Sequence, residues 1–215
     1  RENLTGMVID SGDGVTHVFP VCDGAVIASC VKHIPLAGRD ITKYFLEAMK
    51  ERKEPIPTAD QMDVARTCKE KYGYVAKDLG KEFKKYDEKK KLADGGYVLS
   101  NKFKKLVHKP SNGGKPVEID VGYERFLGPE MFFHPEFLNQ DFKEPLDEIV
   151  DQSIQACPMD YRRRLYKNIV LSGGSTLYDG FDTKLTKLVQ TRIDNRFAAY
   201  EKVTGVKPQA IPVEV

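Results

Sequence analysis

The sequence predicts a mixed α/β fold: a glycine-punctuated antiparallel sheet, then helices, then a strand, glycine turn and helix near the carboxyl end. Three observations carry this. Short Val- and Ile-rich runs alternate with Asp-Gly pairs in the first thirty residues. The apolar period changes from two to 3.6 after Gly38. Finally, NIVLS (168–172) leads through Gly173-Gly174-Ser175 into a long amphipathic segment. With 215 residues, 40% hydrophobic and 31% charged, the chain has room for one large or two small packed domains and does not have the composition of a disordered coil.

The runs LTGMVID (4–10), VTHVFPVC (15–22) and AVIASC (25–30) read as three antiparallel strands, joined by SGDG and by Asp23-Gly24. Asp-Gly readily supplies the positive φ of a tight hairpin. Several runs are apolar on both sides, which predicts a covered sheet. Ile41, Tyr44, Phe45, Ala48 and Met49 then mark an amphipathic helix, stopped by Pro55 to Pro57. Thr58 and Gln61 have capping-box spacing for a second helix, running to about Lys71 and ending at Tyr72-Gly73. From Lys81 to Lys109 there are ten lysines against four acids, and this stretch reads as a solvated insertion or loop extending to about residue 116. A docking surface for an acidic partner is its alternative reading. VEIDVG (117–122) returns to strand. Pro145 opens a helix with Leu146, Ile149, Val150 and Ile154 on one face, and Phe181 to Phe197 forms the last helix.

The charge balance is 34 basic against 32 acidic residues, too even to supply the electrostatic term of nonspecific polyanion binding. No apolar run approaches 18 residues and no amino-terminal signal pattern is present, which disfavours membrane insertion and secretion. Cys22, Cys30, Cys68 and Cys157 form no C-x-x-C pair and read as reduced thiols of an intracellular protein; the four histidines are equally scattered. The chain opens on Arg1, which points to a processed protein or an excised piece.

Two loops carry candidate chemistry. In Asp10-Ser11-Gly12-Asp13-Gly14 the glycines let backbone approach a ligand and offer amides to phosphate oxygens, while a carboxylate holds a hydrated divalent cation. The bland alternative is a simple hairpin turn. In Leu171 to Tyr178 a glycine pair after a buried strand leaves a flat shelf for an adenine ring, with Tyr178 nearby. Here the alternative is a tight turn with Ser175 or Thr176 capping the next helix. His17, three residues after the first loop, lies on a strand face that can look back toward phosphates; alone, such a histidine is more often packed or solvated.

Taken together, VIDSGDGVTHVFPVCDG (8–24), LAGRDIT (36–42), KEKYGYVA (69–76) and NIVLSGGSTLY (168–178) resemble the actin family. DVGYERFLGPEMFFHPEF (120–137) and LYKNIVLSGGSTL (165–177) are similar to an actin-related branch of it rather than to conventional actin. The resemblance implies an actin-like ATPase fold of ribonuclease H type, of which this chain is the second lobe only. Residues 1–36 and 140–215 would form the inner subdomain, and 37–139 an inserted outer subdomain.

By that resemblance, Asp10, Gly12, Asp13, Gly14 and Val15 surround the β and γ phosphates, and Asp10 meets a magnesium or calcium ion through water. His17 orients the attacking water. Gly38, Lys69 and Glu70 approach ribose and purine; Gly173, Gly174, Ser175, Leu177 and Tyr178 wall the adenine pocket. Leu177 replaces the methionine usual there, a swap of similar volume. The family's first phosphate hairpin and the glutamine that positions water fall outside this chain. A helix terminus or a few loop amides contribute about 0.3 to 2 kcal/mol toward an anion, whereas micromolar affinity needs roughly 8 kcal/mol. The expectation is therefore weak or no ATP or ADP binding, and no hydrolysis, by this chain alone.

The family further implies a filament-nucleating role. A filament-like subunit, with a sister actin-related subunit and other members of an assembly, templates branches on actin filaments in the cytoplasm. Nucleation-promoting factors activate it, and nucleotide hydrolysis is slow and regulatory. A kinase or chaperone ATPase of the same superfamily is one alternative, though the sequence shows neither a sugar pocket nor a peptide-binding domain. A nucleotide-free protein-interaction module is the other.

Overall fold

The computed structural model describes residues 4–87, 90–91, 97–98, 103–139 and 142–215. In chain order the strands are β1 (Gly6–Ser11), β2 (Thr16–Cys22), β3 (Ala25–Val26), β4 (Lys32–Ile34), β5 (Lys90–Lys91), β6 (Tyr97–Val98), β7 (Lys104–His108), β8 (Val117–Val121) and β9 (Ile169–Ser172). The helices are α1 (Gly38–Glu51), α2 (Gln61–Tyr72), α3 (Leu79–Asp87), α4 (Glu124–Glu130), α5 (Leu146–Ala156), α6 (Met159–Tyr166) and α7 (Phe181–Thr204). The chain divides into two compact units: Arg1–Gly38 with Phe132–Leu177 and Phe181–Val215, and Arg39–Met131 with Tyr178–Gly180.

The first unit is built on a sheet of order β3-β2-β1-β9, with β4 also paired to β2. β1 and β2 form the expected antiparallel hairpin, and β9 joins β1 in parallel, Asp10 opposite Ser172. Period-two alternation sends Met7, Ile9, Val18 and Ile169 to one buried face. On that side α5 packs on β2 and α7, and α6 on β1. Leu146, Val150, Ile154, Leu165, Leu185, Val189 and Ile193 complete this core. Burying a side chain such as Ile9 contributes about 1.5 to 3 kcal/mol. Arg192 and Arg196 of α7 are ion-paired to Asp147 and Asp151 of α5, and the Tyr166 hydroxyl donates to Asp151 at 2.5 Å.

Three expectations for this unit need correction. The third strand stops at Val26, because Ala28–Cys30 closes a 3-10 turn whose last carbonyl accepts a 2.7 Å bond from Ser153 Oγ. The chain then returns as β4, too short for a visible alternation. Among the described residues the sheet is fully covered on one face only: on the other, Val8, Phe19 and Val21 are half-buried and Val170 is 44% exposed. Pro145 lies one residue before α5, as its extended N-cap.

In the second unit, Ile41, Phe45 and Met49 of α1 are fully buried, and α4 approaches them through Gly128, where a Cβ would stand 2.6 Å from the Phe45 ring. Arg52, just past α1, binds both carboxylate oxygens of the buried Glu124, at 2.7 and 2.6 Å, and the carbonyl of Asp120. The capping box at Thr58 and Gln61 is not made. Thr58–Asp60 is a 3-10 turn, and Asp60, the N-cap of α2, spends its carboxylate on the β7–β8 hairpin instead, bonding Ser111 Oγ, Ser111 N and His108 Nε2.

The lysine-rich stretch is not a plain loop. Its first part is α3, whose Phe83 and Tyr86 pack with Tyr74, Phe103, Tyr123 and Phe126 in an aromatic cluster, Tyr86 only 2% exposed. Its lysines face outward, Lys81 paired to Asp78 just before the helix and Lys85 to Glu82 within it. Further on, β7 pairs with β8 and buries Leu106. Residues 92–96 of this stretch lie outside the described residues.

Candidate nucleotide site

In the first unit the two loops singled out from sequence lie against each other because β1 and β9 are parallel neighbours. Both strands end at the same edge, and the Gly12 carbonyl there accepts bonds from Ser175 Oγ at 2.7 Å and Gly38 N at 3.0 Å. Gly173 makes the approach possible. Its φ is +87°, and a Cβ on it would fall 2.2 Å from the Ser11 carbonyl oxygen. Thr176 Oγ1 turns back to the Gly173 carbonyl at 2.9 Å, so it closes its own turn. The base of the first loop is pinned by Ser11 and Thr16, whose hydroxyls lie 2.7 Å apart, and Thr16 donates to the Leu36 carbonyl at 2.6 Å.

Above this frame the backbone is open. A Cβ at Gly12, Gly14 or Gly174 would meet nothing within 4 Å, the space a phosphate or flat ring needs to reach main-chain amides. Asp13 and Val15 are exposed at the tip and Asp10 is half-buried on β1. His17 is the cross-strand partner of Asp10, on the same face. Leu177 is 81% exposed at the end of the second loop. Among the described residues no three His, Cys, Asp or Glu side chains converge as metal ligands. A cation beside Asp10 would therefore keep most of its waters, the manner in which magnesium is usually held.

The second unit holds the remaining candidates. Lys69 is 8% exposed and Glu70 is exposed, both near the end of α2. Gly73 ends the helix by bonding the Lys69 carbonyl at 2.9 Å, and the Tyr178 ring lies so close that a Cβ on Gly73 would be 2.7 Å from it. Tyr178 is held there by the bond from Val75 N to the Asp179 carbonyl, 2.9 Å. Burial first, and the Glu70 carboxylate second, push the Tyr178 hydroxyl far above its usual pKa, so it stays a neutral donor.

Asp23 has no such opening. It stands at φ +49° in its turn, and its carboxylate is held below the usual range by Tyr161, Arg164 and Thr5. Sequence reasoning gave Ser11 no role of its own and did not single out Thr16 or His33, which the structure places beside the first loop. The first two are legible as short polar residues flanking a glycine loop; His33 becomes a neighbour only through the β2–β4 pairing.

A pair of glycine loops on a five-stranded sheet, with an inserted second unit, is the architecture of an actin-fold protein, and the actin family model matches residues 2–211. The chain belongs to the actin family. It is 48% identical over 216 residues to actin-related protein 3 of Dictyostelium discoideum, and 48% identical over 217 residues to actin-related protein 3 of Drosophila melanogaster. Each match covers 100% of this chain and 49% or 50% of the relative, so the chain spans about half the length of these curated relatives.

Proposed function

We propose that this chain is the second lobe of an actin-related subunit of the actin-related protein 2/3 complex, and that it supplies half of an ATP or ADP site. The observation that carries the assignment is the 48% identity to actin-related protein 3 along the whole chain in two organisms. The loop pair joined at the Gly12 carbonyl, with open space over Gly12, Gly14 and Gly174, supports the nucleotide part. In this reading the first unit is the inner subdomain and the second the outer one. Gly12, Asp13, Gly14 and Val15 cradle the β and γ phosphates. Asp10 holds the magnesium or calcium hydration shell, and the cation supplies charge neutralisation for the phosphates.

His17 orients water. Gly38, Lys69 and Glu70 take the ribose and purine side, and Gly173, Gly174, Ser175, Leu177 and Tyr178 the adenine. The whole subunit works in the cytoplasm as part of the actin cytoskeleton. It mimics a filament subunit beside actin-related protein 2, contacts actin filaments and the other subunits, and answers to nucleation-promoting factors. Nucleotide occupancy biases its active arrangement and hydrolysis is slow and regulatory. Among the described residues no helix is long and apolar enough to cross a membrane.

Calorimetric titration of magnesium-ATP into this chain and into the two-lobed protein tests the reading. Binding is expected for the two-lobed protein only, weakened at least about tenfold by Asp13→Ala with the fold intact. Unchanged affinity in that variant would remove Asp13 from the phosphate site.

A further inference from the structure

His17 has a second imidazole at hydrogen-bond distance. His33, its partner in the β2–β4 register, places Nδ1 2.7 Å from the Nδ1 of His17, with the rings edge-on at 89°. Two ring nitrogens so close share one proton. In the neutral pair one ring is the Nδ1–H donor and the other offers a bare Nδ1, so the acceptor ring carries its own proton on Nε2. The two histidines are thereby tied to opposite tautomers.

The backbone that presents His33 is fixed on its carboxyl side: Ile34 and Leu36 are buried, and the Leu36 carbonyl accepts the Thr16 hydroxyl. Asp10, His17 and His33 form one row across β1, β2 and β4.

We propose that His33 is a positioning residue for His17: it accepts the Nδ1–H of His17 and so keeps the Nε2 of His17 bare. The direction follows from the chemistry of the site proposed above, on which this inference rests. A water that attacks a phosphoryl group gives up a proton, so the side chain that orients it must accept a hydrogen bond from that water. With the proton on Nδ1 and directed to His33, His17 presents its one remaining lone pair at Nε2. Reversing the pair would turn Nε2 into a donor and point it at the water's oxygen lone pairs, the ones needed for attack.

Ring-nitrogen NMR spectra of the isotope-labelled 215-residue chain read the tautomers directly. The expected result is a protonated Nδ1 and bare Nε2 on His17, with the opposite pattern on His33. In His33→Phe, which has no acceptor, the His17 signals should move toward the mixed pattern of a free imidazole. His33→Gln, whose amide oxygen accepts, should restore the protonated Nδ1. A bare Nδ1 on His17 in the parent chain, or His17 signals unmoved in His33→Phe, would overturn the proposal.

A second measurement, single-turnover ATP hydrolysis by the two-lobed protein, separates this inference from the reading beneath it. Loss of rate of about tenfold in His33→Phe, recovered in His33→Gln and with nucleotide affinity unchanged, is expected. If His17→Ala slows hydrolysis and His33→Phe does not, the positioning role fails while the site stands. If His17→Ala leaves the rate unchanged, the assignment of His17 itself is wrong and the positioning role goes with it.

Discussion

Gly173 and Gly174 differ in what an added methyl group would meet. At Gly173 it would collide with the Ser11 backbone from a positive φ, whereas at Gly174 it would meet open space. Gly173→Ala is therefore expected to lower stability by about 1 to 3 kcal/mol, and Gly174→Ala by less than about 1 kcal/mol. Denaturant midpoints of the two variants check this, and equal losses would show that the close approach is not what glycine serves. Asp60 gives a pH-dependent case. Bonds from Ser111 and then His108 lower its pKa from the usual 3.8 to about 2. The stabilisation is fully present above the unfolded value and is lost as pH falls from about 4 through about 2. Asp60→Asn should flatten that part of the acid-unfolding curve. The same residue shows why one sequence motif misled: Thr58 and Gln61 have capping spacing, but Asp60 sits nearer the helix start and its acceptors are used by a hairpin some fifty residues away, at Ser111.

At the scale of elements, one ion pair reinforces the packing of α4 against α1. Burial alone would lower the Arg52 pKa, yet two bonds to Glu124 outweigh it and hold the guanidinium charged. Arg52→Ala would leave the fully buried Glu124 without its guanidinium partner, at a cost of about 3 kcal/mol. Thermal unfolding measures it; a loss below 1 kcal/mol would mean water replaces the guanidinium. Elements with a clear period were legible from sequence, α1 and α5 among them. The stripe of α7 was visible to Phe197, and the helix continues to Thr204, stopped by Gly205 with its φ of +71° and its bond to the Glu201 carbonyl. What hid α3 was its lysines, which mask an i, i+3 pair, Phe83 and Tyr86, aimed into an aromatic cluster. The parallel β1–β9 pairing was beyond sequence reading because it joins segments some 160 residues apart with no local turn to announce it.

For the molecule as a whole, the uncovered sheet face is the main liability. Val8, Phe19, Val21 and the 44% exposed Val170 form an apolar surface on one side of the first unit. Sedimentation of this chain is expected to show concentration-dependent association, reduced by Val170→Lys; association unchanged by that variant would place the sticky surface elsewhere. The two loops proposed as the nucleotide site are marked in the sequence by glycines and aspartates, which leave backbone bare. That they lie against each other was not legible, since it depends on the β1–β9 pairing.

The Gly12 carbonyl ties together three segments far apart in the sequence: its own hairpin, the Gly38 start of α1 and the Ser175 turn. Because one atom answers to both donors, none of the three can drift without dragging the others. A shift at any one of them strains a hydrogen bond to another, a restraint of about 1 kcal/mol per bond. The shared oxygen is thus a common anchor for three distant stretches of chain.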